Sequence, residues 1–95
     1  MKLIVRVKEI KGHCPVYQPG DQFILENGYQ LITNRPLCMH SLTSLLPYYN
    51  ALRFVAGQQL GLNKKSDPNR AYVQCLDPYD YTGGGTVTFE IIKED

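Results

Sequence analysis

The sequence predicts an α+β fold, a single small domain in which a four- to five-stranded antiparallel or mixed sheet carries one helix on one face. Strict alternation of apolar and polar residues marks strands near both ends of the chain. A longer run between them repeats apolar residues at three- and four-residue steps, as a helix does. The order of strands, helix and strands is typical of α+β architecture. A chain of 95 residues has room for one domain, residues 1–95.

Three strands are predicted in the first third of the chain. The first covers residues 2–10, where apolar residues alternate with charged ones. Residues 12–21 contain two prolines and two glycines, which exclude a helix and predict a turn-rich connection. Short strands are predicted over residues 22–26 and 29–32, because the Asn-Gly pair between them is a strong hairpin signal.

One kinked helix is predicted over about residues 36–56. Asn34 is a suitable N-cap, and Pro36 suits the first turn, where a backbone N–H is not needed. Pro47 lies inside the run, so we expect a kink there or two short helices that meet at this point. Gly57 should end the helix. The apolar stripe that should face the sheet consists of Leu42, Leu45, Leu46, Tyr49, Leu52 and Val55.

The last third of the chain predicts two strands separated by loops. Residues 58–70 have little periodicity and much charge, so we expect a surface loop. A central strand follows over residues 72–76, and a Gly- and Tyr-rich loop over residues 79–85. The final strand, residues 86–92, alternates cleanly. Its expected inward residues are Val87, Phe89 and Ile91, and its expected outward residues are Thr86, Thr88 and Glu90.

Composition excludes several classes of protein. With 10 Lys and Arg against 9 Asp and Glu, the chain has no basic excess for nucleic acid. Its 43% hydrophobic content and low net charge disfavour disorder, and its apolar runs are too short to span a membrane. Residues 1–7 have a strand pattern and not that of a signal peptide, so we expect a cytoplasmic location where thiols stay reduced.

The cysteines and histidines provide the main candidate site. Cys14, Cys38 and Cys75 are an odd number, which makes a poor disulfide framework. Each lies at a predicted element boundary, where a fold commonly positions functional groups. Three thiolates and one imidazole, from His40 or from His13, would make a tetrahedral set for zinc or iron. No C-x2-C pair is present, which counts against a structural zinc site.

Two other hypotheses use the same residues differently. In the first turn of the helix, Cys38 would be activated by the helix N-terminus, with His40 or His13 as its base, in a thiol-dependent enzyme or redox protein. Alternatively, the cysteines are core residues, and exposed tyrosines make the protein a non-catalytic interaction subunit. A homo-oligomer would be unsurprising at this size, and the sequence identifies no small-molecule or protein partner.

The Gly83–Gly85 run has both a functional and a structural interpretation. Its backbone N–H groups could bind an anion, but the run leads into a strand with no following lysine, unlike a phosphate loop. A hairpin loop or bulge is the simpler interpretation. Asp77 could orient a ligating histidine, although Asp-Pro is first a turn signal. Five tyrosines could line a pocket: Tyr17, Tyr48, Tyr49, Tyr79 and Tyr81.

The order of these motifs resembles an uncharacterised family of small bacterial and archaeal proteins that are about this length and common in anaerobes. The motifs are GHCPVY with GD in residues 12–21, LCMH with LPY in residues 37–48, VQCLDP in residues 73–78 and YTGGGTV in residues 81–87. The resemblance covers nearly the whole chain.

The resemblance implies that Cys14, Cys38, Cys75 and His40 belong to the family pattern, and it supplies no activity. Leu76 stands where relatives often have proline, a departure that should only alter a turn. Some relatives lack the triple glycine and the histidine before the first cysteine, so the resemblance does not imply a part in shared chemistry for His13 or Gly83–Gly85.

Overall fold

Alternating side chains build the centre of the sheet. In the computed structural model, which describes residues 1–94, strand β1 spans Lys2–Gly12 and buries Leu3, Val5 and Val7 on one face. Strand β6 spans Gly85–Glu94 and lies antiparallel beside β1. The pairing shifts by one residue near Lys8, a bulge that bends the strand.

Six antiparallel strands form one sheet in the order β3-β2-β1-β6-β5-β4. The α+β class is therefore confirmed, but the sheet has more strands than the four or five predicted. The extra strand, β4, has only two residues, too few to show any alternation. The remaining strands are β2 (Gln22–Glu26), β3 (Gln30–Ile32), β4 (Asn63–Lys64) and β5 (Asp67–Gln74).

The main helix, α1, spans Met39–Phe54 and is shorter than the predicted 36–56. It is one continuous helix of 16 residues with Pro47 inside, as expected for a single helix, so the alternative of two short helices is wrong. Its N-cap is Cys38 and not Asn34. Its C-cap is Val55, two residues before the Gly57 that was expected to end it.

Two segments expected to be loops contain regular structure. Residues 57–60 form a 3-10 turn in which Gly57 is buried. A Cβ at Gly57 would lie 2.8 Å from the Cβ of Ala71, so glycine allows the turn to approach β5 this closely. The same predicted loop also contains β4 and the first residues of β5. Within the Gly- and Tyr-rich loop, Tyr79–Thr82 forms a single helical turn, α2.

The long helix α1 covers one face of the sheet, and on the other face the short turn α2 lies near Lys11, Gln74 and Thr86 at one end. The covered face holds one hydrophobic core of Leu3, Val5, Val7, Tyr17, Phe23, Leu45, Leu52, Ala71, Val73, Val87, Phe89 and Ile91. We name the opposite side of the sheet the open face. Thr86 and Glu90, expected to point outward to solvent, are 4% and 1% exposed there, which corrects that prediction. Their neighbours on the open face cover them.

Among residues 1–94, no helix combines the length and the apolar composition that spanning a membrane requires.

Candidate functional site

The three cysteines lie at one end of the sheet. Cys14 follows β1, Cys75 follows β5, and Cys38 directly precedes α1. The ends of β1 and β5 lie at the same end of the sheet, one on each side of β6, because both strands run antiparallel to β6. All three cysteines are free, partly buried and packed against the hydrophobic core. Their placement at element boundaries agrees with the sequence, while their packing is that of small apolar side chains.

Tyr17 connects two of the cysteines. Its backbone N–H donates to Sγ of Cys14 over 3.3 Å, and its phenolic oxygen accepts the N–H of Cys38 over 3.0 Å. The same oxygen lies 2.7 Å from Oγ of Ser41. The Ser41 hydroxyl also contacts the carbonyl of Cys38, 2.6 Å away. Tyr17 therefore fixes the loop after β1 against the first turn of α1.

The buried phenol of Tyr17 stays protonated. Burial raises its pKa above the ordinary value of a tyrosine, and the nearby thiols of Cys38 and Cys14 raise it further once ionised. The contacts with Ser41 and Cys38 act in the opposite direction and are outweighed. A neutral hydroxyl can donate one hydrogen bond and accept others, which is the role the geometry gives it.

The structure does not gather the predicted metal ligands. His40 lies exposed in the first turn of α1, and His13 is exposed beyond β1. In the described part of the chain, no group of three or more His, Cys, Asp or Glu side chains is placed to hold a metal ion. The site of Cys14, Cys38, Cys75 and His40 therefore stays a prediction from the sequence.

The Gly83–Gly85 run has a structural explanation. Gly83 takes a left-handed conformation with φ of +70° and ends α2. A Cβ on Gly85 would overlap the carbonyl of His13, so glycine is needed where β1 and β6 approach. The carboxylate of Asp77 accepts a hydrogen bond from the Thr82 hydroxyl, which ties the turn together.

An apolar groove lies between α1 and the β2–β3 hairpin. It has a volume of about 120 Å³. Leu31 and Leu46 are 43% and 48% exposed along it, although Leu46 was expected in the core stripe. We name this feature the hairpin groove, and its main apolar residues are Leu25, Leu31, Leu42, Leu46 and Tyr49.

One end of the hairpin groove is polar. Arg53 and Glu26 line this end. The guanidinium of Arg53 lies against Gly28, where a Cβ would overlap it, and donates to Oδ1 of Asn50 over 2.8 Å. Gly28 has φ of +78°, as the tight hairpin turn requires. The groove therefore combines a fixed apolar wall with one charged end.

The open face carries a buried carboxylate. Oε2 of Glu90 accepts a hydrogen bond from the hydroxyl of Tyr72 over 2.9 Å and lies 4.0 Å from Nζ of Lys8. Nη1 of Arg70 lies 3.1 Å from Oε1, an ion-pair contact without the alignment of a hydrogen bond. These three side chains shield Glu90 from water.

Glu90 is ionised in this environment. Burial by itself raises the pKa of its carboxyl group, but the contacts with Tyr72 and Arg70 and the charges of Arg70 and Lys8 outweigh burial. The net pKa lies below the ordinary value of a glutamate. Because the Glu90 carboxylate is held by Tyr72, Arg70 and Lys8, we interpret it as a group that stabilises the open face.

Neither the hairpin groove nor the Glu90 cluster was predicted from the sequence. Leu31 stands in a strand of three residues, and Leu46 fits the helical stripe, so nothing marks them as exposed. A signal for Glu90 does exist, because Arg6 and Tyr72 lie directly opposite it on the two neighbouring strands. That signal requires the strand pairing to be known first.

Comparisons with protein-family models, with curated proteins and with solved structures found no match. The resemblance noted in the sequence therefore stays a prediction.

Proposed function

We propose that this protein is a small interaction protein that binds an extended, apolar segment of a partner polypeptide in the hairpin groove. The observation that carries the proposal is an apolar groove that lies directly beside an edge strand of the sheet. Strand edges and adjacent side-chain pockets are the two parts of strand-addition recognition.

The size of the groove favours a polypeptide over a small-molecule ligand. Ligand sites usually enclose about 300–1,000 Å³, and the hairpin groove encloses about 120 Å³. An apolar cavity of roughly 150 Å³ accepts one benzene ring. The groove therefore fits one apolar side chain, and further affinity must come from contacts beyond it.

Strand β3 offers those further contacts. It stands at one edge of the sheet, and within residues 1–94 only β2 pairs with it. Its free edge presents backbone N–H and C=O groups to an added strand. A segment that pairs with β3 would place alternate side chains over the groove, because side chains alternate along a strand.

The cysteines fit this proposal as structural residues. Their packing against the core supports the hypothesis of a non-catalytic interaction subunit with core cysteines. Of the tyrosines expected to form a contact surface, Tyr49 lines the hairpin groove, but Tyr17 is buried and cannot contact a partner. Tyr29 is 95% exposed beside β3 and is available to a bound segment.

Peptide selection tests the proposal directly. The immobilised protein is offered a phage library of random 12-residue peptides, and selected sequences are synthesised and measured by calorimetry. We expect peptides with apolar residues at alternate positions, and amide NMR shifts at Gln30–Ile32 when they bind. Leu31→Asp and Leu46→Asp should each weaken binding at least about tenfold, because each removes apolar contact area worth about 1.5–3 kcal/mol.

The matched control is Leu76→Asp. Leu76 is 59% exposed and lies outside the groove, so this variant should bind selected peptides like the wild type. Circular dichroism shows whether each variant is folded. A library without an apolar consensus, or peptides whose affinity survives both groove substitutions, would contradict the proposal.

A second candidate function is thiol chemistry at Cys38. The observation that favours it is the position of Cys38 at the start of a 16-residue helix, beside the buried Tyr17, which accepts the backbone N–H of Cys38 and donates its own N–H to Sγ of Cys14. A helix N-terminus favours a thiolate. The metal hypothesis uses the same end of the sheet, where the described residues include no group of three or more ligating side chains placed to hold a metal ion.

Labelling with iodoacetamide separates these hypotheses. If Cys38 is a working thiol, mass spectrometry of native protein should find it alkylated at least about tenfold faster than Cys75. Metal analysis of protein purified anaerobically without a His tag should find about one zinc or iron per chain if the metal hypothesis holds. Slow labelling of all three thiols in metal-free, folded protein would contradict both.

A further inference from the structure

A row of isoleucines crosses the open face. In the strand register, Ile24 lies opposite Ile4 on one side of β1, and Ile92 lies opposite Ile4 on the other. Ile32 on β3 extends the row, because it pairs with Ile24. Four neighbouring strands therefore present one apolar side chain each, on the face that α1 does not cover.

Charged side chains flank the isoleucine row on both sides. On the side of the row that lies toward the end of β6, Lys2 lies opposite Glu94. On the other side of the row, Arg6 lies opposite Glu90. In each row the positive group stands on β1 and the negative group on β6.

This arrangement is self-complementary. We propose that the open face is the interface between two copies of this chain, related by a two-fold axis that runs along the strands between β1 and β6. Such an axis places β1 of each copy over β6 of the other. Rotation about the strand direction does not move residues along the strands. Each residue of one copy therefore faces the residue of the other copy that lies at the same position along the strands.

The two-fold axis gives the residues of β1 and β6 suitable partners, and next to them Ile24 on β2 comes to lie over Arg70 on β5. Lys2 of one copy meets Glu94 of the other, and the reverse contact repeats it. Ile4 packs on Ile92, and Arg6 approaches Glu90. The other two-fold axis in the plane, along the isoleucine row, would set Lys2 over Arg6 and Glu94 over Glu90. Charge therefore selects one packing and rejects the other.

Unused hydrogen-bonding capacity lies at the centre of the face. Nε of Arg6 and Oε1 of Glu90 are buried, and neither has a hydrogen-bond partner among the described residues. Buried polar groups are normally paired. A second copy brings an additional guanidinium to this row, and it would reach Oε1 of Glu90 only when the side chains of Lys8, Arg70 and Tyr72, which cover the carboxylate in one copy, turn aside.

The size of the face predicts a weak dimer. Four strands at their usual spacing, over the length from Lys2 to Lys8, give a footprint of roughly 400 Å² per copy. Stable interfaces cover about 800 Å² on each partner. We therefore expect a dissociation constant in the micromolar range, with the monomer dominant in dilute solution.

Sedimentation velocity tests the dimer. Wild-type protein should shift from monomer toward dimer between about 5 and 500 μM. Lys2→Glu leaves two acids at this end of the face, and Glu94→Lys leaves two lysines, so each variant alone should dimerise at least tenfold more weakly. Each then places like charges opposite each other across the two-fold axis.

Mixing the two variants separates contacts between copies from contacts within one copy. In the mixed dimer, the acids of one chain meet the lysines of the other, although each chain keeps its own unfavourable pair. We expect the equimolar mixture to recover dimer that neither variant forms alone. The matched control is Lys65→Glu, an exposed change in the turn after β4 that should leave association unchanged.

Three results would overturn the proposal. They are a wild type that stays monomeric at all concentrations, single variants that associate like the wild type, and a mixture that forms no heterodimer. The open face is a different surface from the hairpin groove. Leu31→Asp therefore serves as a cross-check, since it should weaken peptide binding and leave self-association intact.

Discussion

Glu90 makes the open face sensitive to acid. Its folded-state pKa lies below the ordinary value, because the contacts with Tyr72 and Arg70 outweigh burial. The folded protein therefore holds the charged form more tightly than the unfolded chain does. This contribution to stability is fully present above the unfolded-state pKa and is lost as the pH falls through the folded-state pKa.

Glu90→Gln should remove this pH dependence. We expect the variant to be less stable than the wild type at pH 7, with the difference in unfolding free energy shrinking below about pH 4.3, the usual pKa of a free glutamate. Urea unfolding at a series of pH values measures it, at protein concentrations low enough to keep the chain monomeric.

Glu9→Gln is the control for this substitution, because Glu9 is exposed on the neighbouring strand. Its unfolding curve should follow the wild type at every pH. A constant difference between Glu90→Gln and the wild type across the whole pH range would show that the charge of Glu90 has no part in stability.

At the same scale, sequence reasoning found some site residues and missed others. The boundary positions of Cys14, Cys38 and Cys75 follow from local patterns, because strand ends and turns are local features. The role of Tyr17 could not be predicted, since its partners Cys38 and Ser41 are more than 20 residues away in the chain. Contacts of this kind depend on how whole elements pack.

At the scale of elements, the start of α1 shows how tertiary contacts override a local signal. Asn34 and Pro36 both predict an earlier start. The guanidinium of Arg35 instead lies 2.6 Å from the carboxylate of Asp21 and donates to the carbonyl of Val16 over 2.7 Å. These contacts hold residues 33–37 against the loop after β1, so the helix begins only after Cys38.

Gly85, the first residue of β6, lies against the backbone just after β1. Gly85→Ala should therefore destabilise the fold. The new methyl group would overlap the His13 carbonyl, a backbone atom that cannot move without separating β1 from β6. We expect a loss of about 1–3 kcal/mol in the free energy of unfolding, as for overpacked sites. Urea denaturation measures the loss.

The neighbouring substitution Gly84→Ala provides the comparison. A methyl group there would first meet the carboxylate end of Asp77 and the Thr82 hydroxyl, which are side-chain atoms that can move. Its cost should be clearly smaller than that of Gly85→Ala. Equal losses for the two variants would mean that the approach of the two strands does not require glycine.

At the scale of the whole molecule, the sequence predicted the architecture better than its surfaces. Alternation and helical repeats identify buried faces, and they led to the α+β class. They do not show which residues remain exposed once the faces are assembled. Leu46 fits the helical stripe yet lines a groove, and Glu90 fits an outward position yet is buried.

The two proposed surfaces can operate together. The hairpin groove lies on the side of the sheet that holds α1, and the isoleucine row lies on the opposite side. A dimer joined through the open faces would carry two outward-facing grooves. Two linked partner segments could then bind with a higher effective concentration than either alone.

The pairing of β1 with β6 has a consequence for synthesis on the ribosome. The two strands form the middle of the sheet, and Val5 pairs with Ile91, so β1 must wait for β6, which is synthesised more than 70 residues later. Until then, the apolar sides of β1 and of α1 have no complete sheet to cover them. Contacts this distant in sequence close slowly. We therefore expect this part of the nascent chain to stay unfolded until β6 has been synthesised, and to depend on chaperones in that interval.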